Sequence, residues 1–170
     1  GRNDLTWEKS KQIDLGVEFG LFNDVITGEV DFYTKNTDGL LFSVPLPGSS
    51  GQLSFNKNIG NVESKGVEVV LNSKNIRSKN LQWTTSFNIA NNTNEIKSLP
   101  NGNADIITGE TINRVGESVA SFFLPEFAGA DPATGDALYY TDGAGSATTN
   151  AYEDANRIIA GNSQPTWIGG

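Results

Sequence analysis

A chain of 170 residues with a formal net charge of −8 and without cysteine, histidine or methionine has room for one domain with a sizeable core, and it excludes several chemistries at once. No disulfide or thiolate metal site can form, the commonest general base and metal ligand is missing, and an acidic balance without a basic patch argues against nucleic acid. No apolar run approaches the ~18 residues of a membrane-spanning helix, yet a mean hydropathy of −0.34 leaves a β-barrel open, because only alternate barrel residues meet lipid.

After a first segment containing Trp7, the chain alternates from Lys11 to Leu21. Ile13, Leu15, Val17, Phe19 and Leu21 share one phase, and Gln12, Asp14, Gly16, Glu18 and Gly20 the other. That period of two predicts a strand over about 11–21. A tight turn at Asn23-Asp24 then sets a hairpin with a second strand over about 26–35, placing Leu21 opposite Ile26, Phe19 opposite Gly28, Val17 opposite Val30 and Leu15 opposite Phe32. A connection over about 36–64 follows, with Pro45, Pro47 and a Gly48-Ser49-Ser50-Gly51 tip. A third strand is expected over about 65–73, with Val67, Val69 and Leu71 in the apolar phase and Val70 as its one breach. The fourth, over about 81–90, alternates Leu81, Trp83, Thr85, Phe87 and Ile89 with polar residues and ends in the cluster Asn91 to Asn94. The short polar link Lys74 to Asn80 makes strands three and four a second hairpin, and a long connection over about 95–165 follows. Trp167 to Gly170 reads as the start of a further strand.

The fold expected is all-β, antiparallel hairpins with two chemically opposite faces. Leu15, Val17, Phe19, Val30, Val69 and Phe87 form the face expected to meet lipid; Asp14, Glu18, Glu29, Asp31 and Glu68 form the one expected to face a watery lumen. Short links at one end and long loops at the other repeat the asymmetry of outer-membrane barrels, with Trp83 near the short-turn end and Phe32 with Tyr33 near the other, where aromatic girdles belong. The same pattern also fits a soluble extracellular β-sandwich that binds carbohydrate through exposed Trp and Tyr residues. Without methionine even at position 1, the chain is expected to be a piece excised from a longer protein.

Glu18 opposite Glu29 is a like-charge pair that requires water or a cation between the carboxylates. Such a wall either is simply hydrated, or meets basic groups of another part of the protein or steers solute. Asp131 to Asp136 offers hard oxygen ligands, but its Pro and Gly bounded by Asp make a good turn without calcium, and no metal or cofactor is expected. Serine lacks a histidine partner and the carboxylates lie in a repeating wall without an apolar pocket, so no enzyme is expected. The long connection carries Phe122, Phe123, Phe127, Tyr139 and Tyr140, which either contact a partner or solute or pack into a small core of their own.

Several stretches carry a resemblance: Leu5-Thr6-Trp7-Glu8-Lys9, Leu15 to Asn23, Thr27 to Tyr33, Val44-Pro45-Leu46-Pro47, Asn58 to Glu68, Trp83 to Asn88, Arg114-Val115-Gly116-Glu117, Gly129 to Asp136 and Gly161 to Pro165. In order and spacing they resemble the C-terminal half of SusC/RagA-type TonB-dependent outer-membrane transporters. The resemblance implies part of a 22-stranded transmembrane barrel in the cell outer membrane, with a plug and TonB box that this sequence does not contain. It also implies import of large nutrients such as glycans or peptides, capture by a SusD-like lipoprotein, and energy from TonB through an N-terminal part. On that reading residues 36–64 and 95–165 are outer loops.

Overall fold

The structure, a computed structural model, describes residues 5–45, 54–58, 60–143, 145 and 147–170. Strand β1 (Lys9–Leu21) and strand β2 (Ile26–Asp38) form the first hairpin. Inside the connection that follows, β3 (Leu41–Pro45) and β4 (Ser54–Asn58) pair with each other, while the Gly48 to Gly51 tip lies outside the described residues. Strands β5 (Asn61–Arg77) and β6 (Gln82–Ser98) make the long second hairpin of the wall. Beyond it come a helical turn α1 (Pro100–Asn103) and the short strands β7 (Ile106–Thr108), β8 (Thr111–Asn113), β9 (Ser121–Pro125), β10 (Phe127–Ala130), β11 (Ala137–Tyr140), β12 (Thr148–Thr149), β13 (Arg157–Gly161) and β14 (Trp167–Gly169).

The main sheet has the order β1-β2-β5-β6-β14. Its faces are the ones that hydrophobic alternation dictates, since a slip of one residue would turn every side chain to the wrong face, and the tight turn sets the register of the first hairpin. Leu21 pairs with Ile26, Phe19 with Gly28, Val17 with Val30 and Leu15 with Phe32. Phe22, Asn23 and Asp24 turn the chain with φ of 56°, 54° and 62°, a left-handed conformation that Asn and Asp tolerate best. At Gly28 a Cβ would lie 2.5 Å from Phe19 Cζ and 2.8 Å from Leu71 Cδ2: two large side chains fill the space that glycine leaves, which offsets the weakness of glycine in a strand. Gly66 is covered likewise by the Tyr33 ring, which puts Tyr33 on the polar face and removes it from the girdle expected beside Phe32.

All four long strands run further than alternation predicts, β1 by starting at Lys9. β2 extends to Asp38, β5 starts at Asn61 and ends at Arg77, and β6 reaches Ser98, through the Asn91 to Asn94 cluster that reads as a strand end. The apolar phase stops there because the apolar residue Ile96 is buried on the opposite, polar side, while ladder hydrogen bonds continue regardless. The residues expected as one long loop are mostly folded: β13-β9-β8-β7 form one small sheet and β10-β11-β12 another. Val62, Ile96, Leu99 and Ile106 are buried together, with Leu40 and Val119 packed against them. This core fastens the segment after β6 onto the polar side of the wall. Among the described residues nothing covers the opposite face: Leu15 is 65% exposed, Val17 54% and Phe87 45%, so these residues do not meet a second described sheet as in a sandwich.

Candidate solute-facing recess

The pleat sorts the assigned residues as their alternation requires. Leu15, Val17, Phe19, Val30, Val69 and Phe87 share one face, in the cross-strand rows Val17-Val30-Val69 and Phe19-Gly28-Leu71-Phe87. Glu18 lies opposite Glu29, and Asp31 stands between Gly16 and Glu68 on the other face. Asp14 is on that face too, accepting a hydrogen bond from Gln12 Nε2 at 2.7 Å. The five acids thus form a continuous wall over neighbouring strands rather than a chelating cluster, and among the described residues no group of acids could hold a metal ion.

Above the acids the same face becomes a recess of about 380 Å³, where amides and hydroxyls are mixed with the apolar Leu40, Val62 and Ile168. Its floor is the far stretch of β2, β5 and β6, contributing Lys35, Thr37, Ser64, Asn92 and Asn94; its roof is Ser118 with Val119, Asn162, Gln164, Pro165 and Thr166. The roof is hydrogen-bonded to the floor. Asn94 holds it at two points, its side-chain oxygen accepting from the Val119 N–H at 2.8 Å and its carbonyl from Ser118 Oγ at 3.0 Å. Asn91 Nδ2 donates to the Thr166 carbonyl at 3.2 Å. The edge of β6 is shared between two partners, which is what opens the recess. β14 pairs with Ile89 to Asn91, whereas higher up Ile96 exchanges backbone hydrogen bonds with Gly116 and Glu117. Asparagine, serine and threonine in such a setting present both donors and acceptors to a hydroxyl- or amide-rich solute.

None of these recess residues stands out in the sequence. Asn92 and Asn94 carry the usual composition of a turn, and only the continuation Ile96 and Ser98 at the same spacing signals that the strand goes on.

The loop aromatics fall into two groups. Tyr139 stands between Phe127 and Tyr152, with ring centroids 6.1 Å and 5.3 Å away and edge-on geometry. That pattern is a small packed core. Tyr140 is half-buried next to it on β11. Phe122 and Phe123 belong to the other small sheet, with Phe122 40% exposed and Phe123 under the Arg114 guanidinium at 6.0 Å. Arg114 also grips Asp105 through two nitrogens, Nη2 to Oδ2 at 2.7 Å and Nε to Oδ1 at 3.1 Å; that hydrogen bonding holds the Asp105 carboxyl below the ordinary carboxylate range. In the Asp131 to Asp136 turn, Asp131 Oδ1 accepts from the Ala133 N–H at 2.8 Å and Asp136 Oδ2 from Thr134 Oγ1 at 3.0 Å, so both carboxylates serve the turn itself.

The family model described as "TonB dependent receptor-like, beta-barrel" matches residues 1–168. The chain is 39% identical over 136 residues to TonB-dependent receptor P3 of Formosa agariphila, covering 75% of this chain and 14% of that protein. To TonB-dependent receptor SusC of Bacteroides thetaiotaomicron it is 39% identical over 114 residues, covering 65% of this chain and 11% of that one. It superposes on a solved structure of the RagAB peptide transporter with a TM-score of 0.86 at 34% identity, over 100% of this chain and 19% of that one. With the RagAB peptide importer in its open-open state the TM-score is 0.82, at 34% identity over 98% of this chain. The chain therefore spans less than a fifth of the length of these relatives.

Proposed function

The chain belongs to the TonB-dependent receptor β-barrel family, of the SusC/RagA type found in outer membranes, and from that premise we propose that it supplies part of the solute path of a nutrient importer. The apolar face meets the lipid, the acidic wall lines the lumen, and the segment 99–166 lies outside the cell beside the barrel mouth. Large nutrients such as glycans or peptides pass the recess, handed over by a SusD-like lipoprotein and driven by TonB acting through a plug elsewhere in the receptor. Phe122, exposed on the outer segment, is offered to that partner or to the solute; Tyr139, held among other rings, shapes the segment instead.

The observation that carries this reading is the recess roofed by the outer segment, on the polar face of a wall whose other face is bare and apolar. In the full-length receptor, Ser64→Trp fills the recess from its floor without touching the apolar face. Uptake of the nutrient on which the parent strain grows should fall at least tenfold while receptor abundance in the outer membrane stays the same. Undiminished uptake would remove the recess from the solute path.

A further inference from the structure

The two faces of the sheet differ in charge as well as in polarity. Across the rows from Leu21 up to Leu15 the apolar face carries no ionised side chain, whereas the opposite face carries Glu18, Glu29, Asp31 and Glu68. Directly above the band, on the apolar side, cations gather. Lys11 stands opposite Asn36 and Lys9 opposite Asp38 on β1 and β2, and Lys65 and Lys97 occupy the same face of β5 and β6. These four are a third of the chain's 12 lysines and arginines. Lys65 and Lys97 share a ladder with Glu63 and Glu95, at 2.8 Å for Lys65 to Glu63, 3.2 Å for Lys97 to Glu63 and 2.7 Å for Lys97 to Glu95. Lys9 and Lys11 are exposed and make no ion pair among the described residues.

The height of this rim follows from strand geometry. Trp83 to Thr93 along β6 rises about 25 Å at ~3.3 Å per residue and a ~40° tilt, which is the full height of a barrel's apolar band. Thr93 stands opposite Lys65, so the lysines lie where hydrocarbon gives way to headgroups. At that level a long ammonium side chain extends along apolar surface and places its charge among phosphates.

We propose that Lys9 and Lys11, backed by the charge-balanced ladder of Glu63, Lys65, Glu95 and Lys97, form a seat for the phosphorylated headgroups of outer-leaflet lipid. This seat rests on the barrel reading and adds to it a selectivity among lipids that an apolar band alone does not have. The acids of the ladder neutralise their own lysines, and with Asp38 opposite Lys9 the four lysines on this face meet three acids; the one cation in excess draws the anionic headgroup to Lys9 and Lys11, which make no ion pair among the described residues.

The test uses the full-length receptor in vesicles of phosphatidylcholine with or without phosphatidylglycerol, with a fluorophore on Asn36→Cys as the sole cysteine and a nitroxide quencher on the headgroup of one lipid or the other. Quenching should be two- to fivefold stronger from labelled phosphatidylglycerol than from labelled phosphatidylcholine, and the ratio should fall to about one in Lys9→Gln/Lys11→Gln. A ratio near one in the parent, or an unchanged ratio in the double variant, overturns the seat. A fluorophore on Val17→Cys, read against a quencher in the acyl chain, separates the two levels of the argument: absence of quenching there means that the face does not meet lipid at all. Because both glutamines are on an exposed face, heat-modifiable migration of the double variant should match the parent and confirms that the barrel has formed.

Discussion

Strand β6 passes through two environments, and the difference between them teaches how this chain is built. From Gln82 to Asn91 its stability comes from period-two alternation: Phe87 joins Leu71, Ile89 joins Val69, and the face they make is bare within the chain. From Asn92 to Ser98 the alternation inverts. Ile96 is fully buried, but on the polar side, beneath Leu99 and Ile106. The lower stretch keeps an apolar face and a polar one; in the upper stretch the chain's own later segment folds back onto the polar side.

That contrast can be broken first in the lower stretch. Val17→Arg in the full-length receptor should cost about 2 to 4 kcal/mol of barrel stability in a refolding titration, because the charge would sit mid-band. Gly16→Ser, one residue away on the water side, should cost far less. Equal losses would mean that the faces are not distinct. In the upper stretch, Ile96→Ala should cost roughly 2 to 3 kcal/mol, since the core around it is small and relaxes in part. The loss should appear as faster protease cleavage within residues 99–119 while the barrel stays heat-modifiable. Global unfolding in step with the cleavage would show that the two stretches are one cooperative unit.

A smaller effect should come from pH. The Asp105 carboxyl is lowered by its hydrogen bonds to Arg114, so its contribution is present above the ordinary carboxylate value of ~4 and is lost as pH falls through the lower, folded value. Both partners are more than a third exposed, which limits the contribution to about 1 kcal/mol at most. Hydrogen exchange over 105–114 should be flat between pH 5 and 8 after correction for intrinsic rates, and should quicken below about pH 4; Asp105→Asn should abolish that dependence. A dependence that survives in the variant would locate the titrating group elsewhere.

The sequence discloses the wall far better than it discloses the recess, for a physical reason. Alternation sorts side chains between two chemically different faces and the tight turn at Asn23-Asp24 sets the offset, so the register from Leu15-Phe32 to Leu21-Ile26 can be written down from residue types alone. Above the band that constraint disappears, and Asn92, Asn94, Thr37 and Ser64 read as ordinary polar residues of turns and strand ends. Their grouping depends on where Ser118, Val119 and Gln164 return in space, which no local pattern encodes. Tyr33 shows the converse: the phase it shares with Glu29 and Asp31 already places it on the polar face, although an aromatic beside Phe32 looks like girdle, and its pairing with Gly66 gives the ring a place there.

The central claim, that one face of the sheet meets lipid and the other water, is tested most directly by the neighbours Glu68 and Val69 on β5. Each is replaced by a single cysteine in the full-length receptor and exposed, in outer-membrane vesicles, to a water-soluble maleimide. Glu68→Cys should be modified readily and Val69→Cys at least tenfold more slowly. Equal modification of the two would contradict the account.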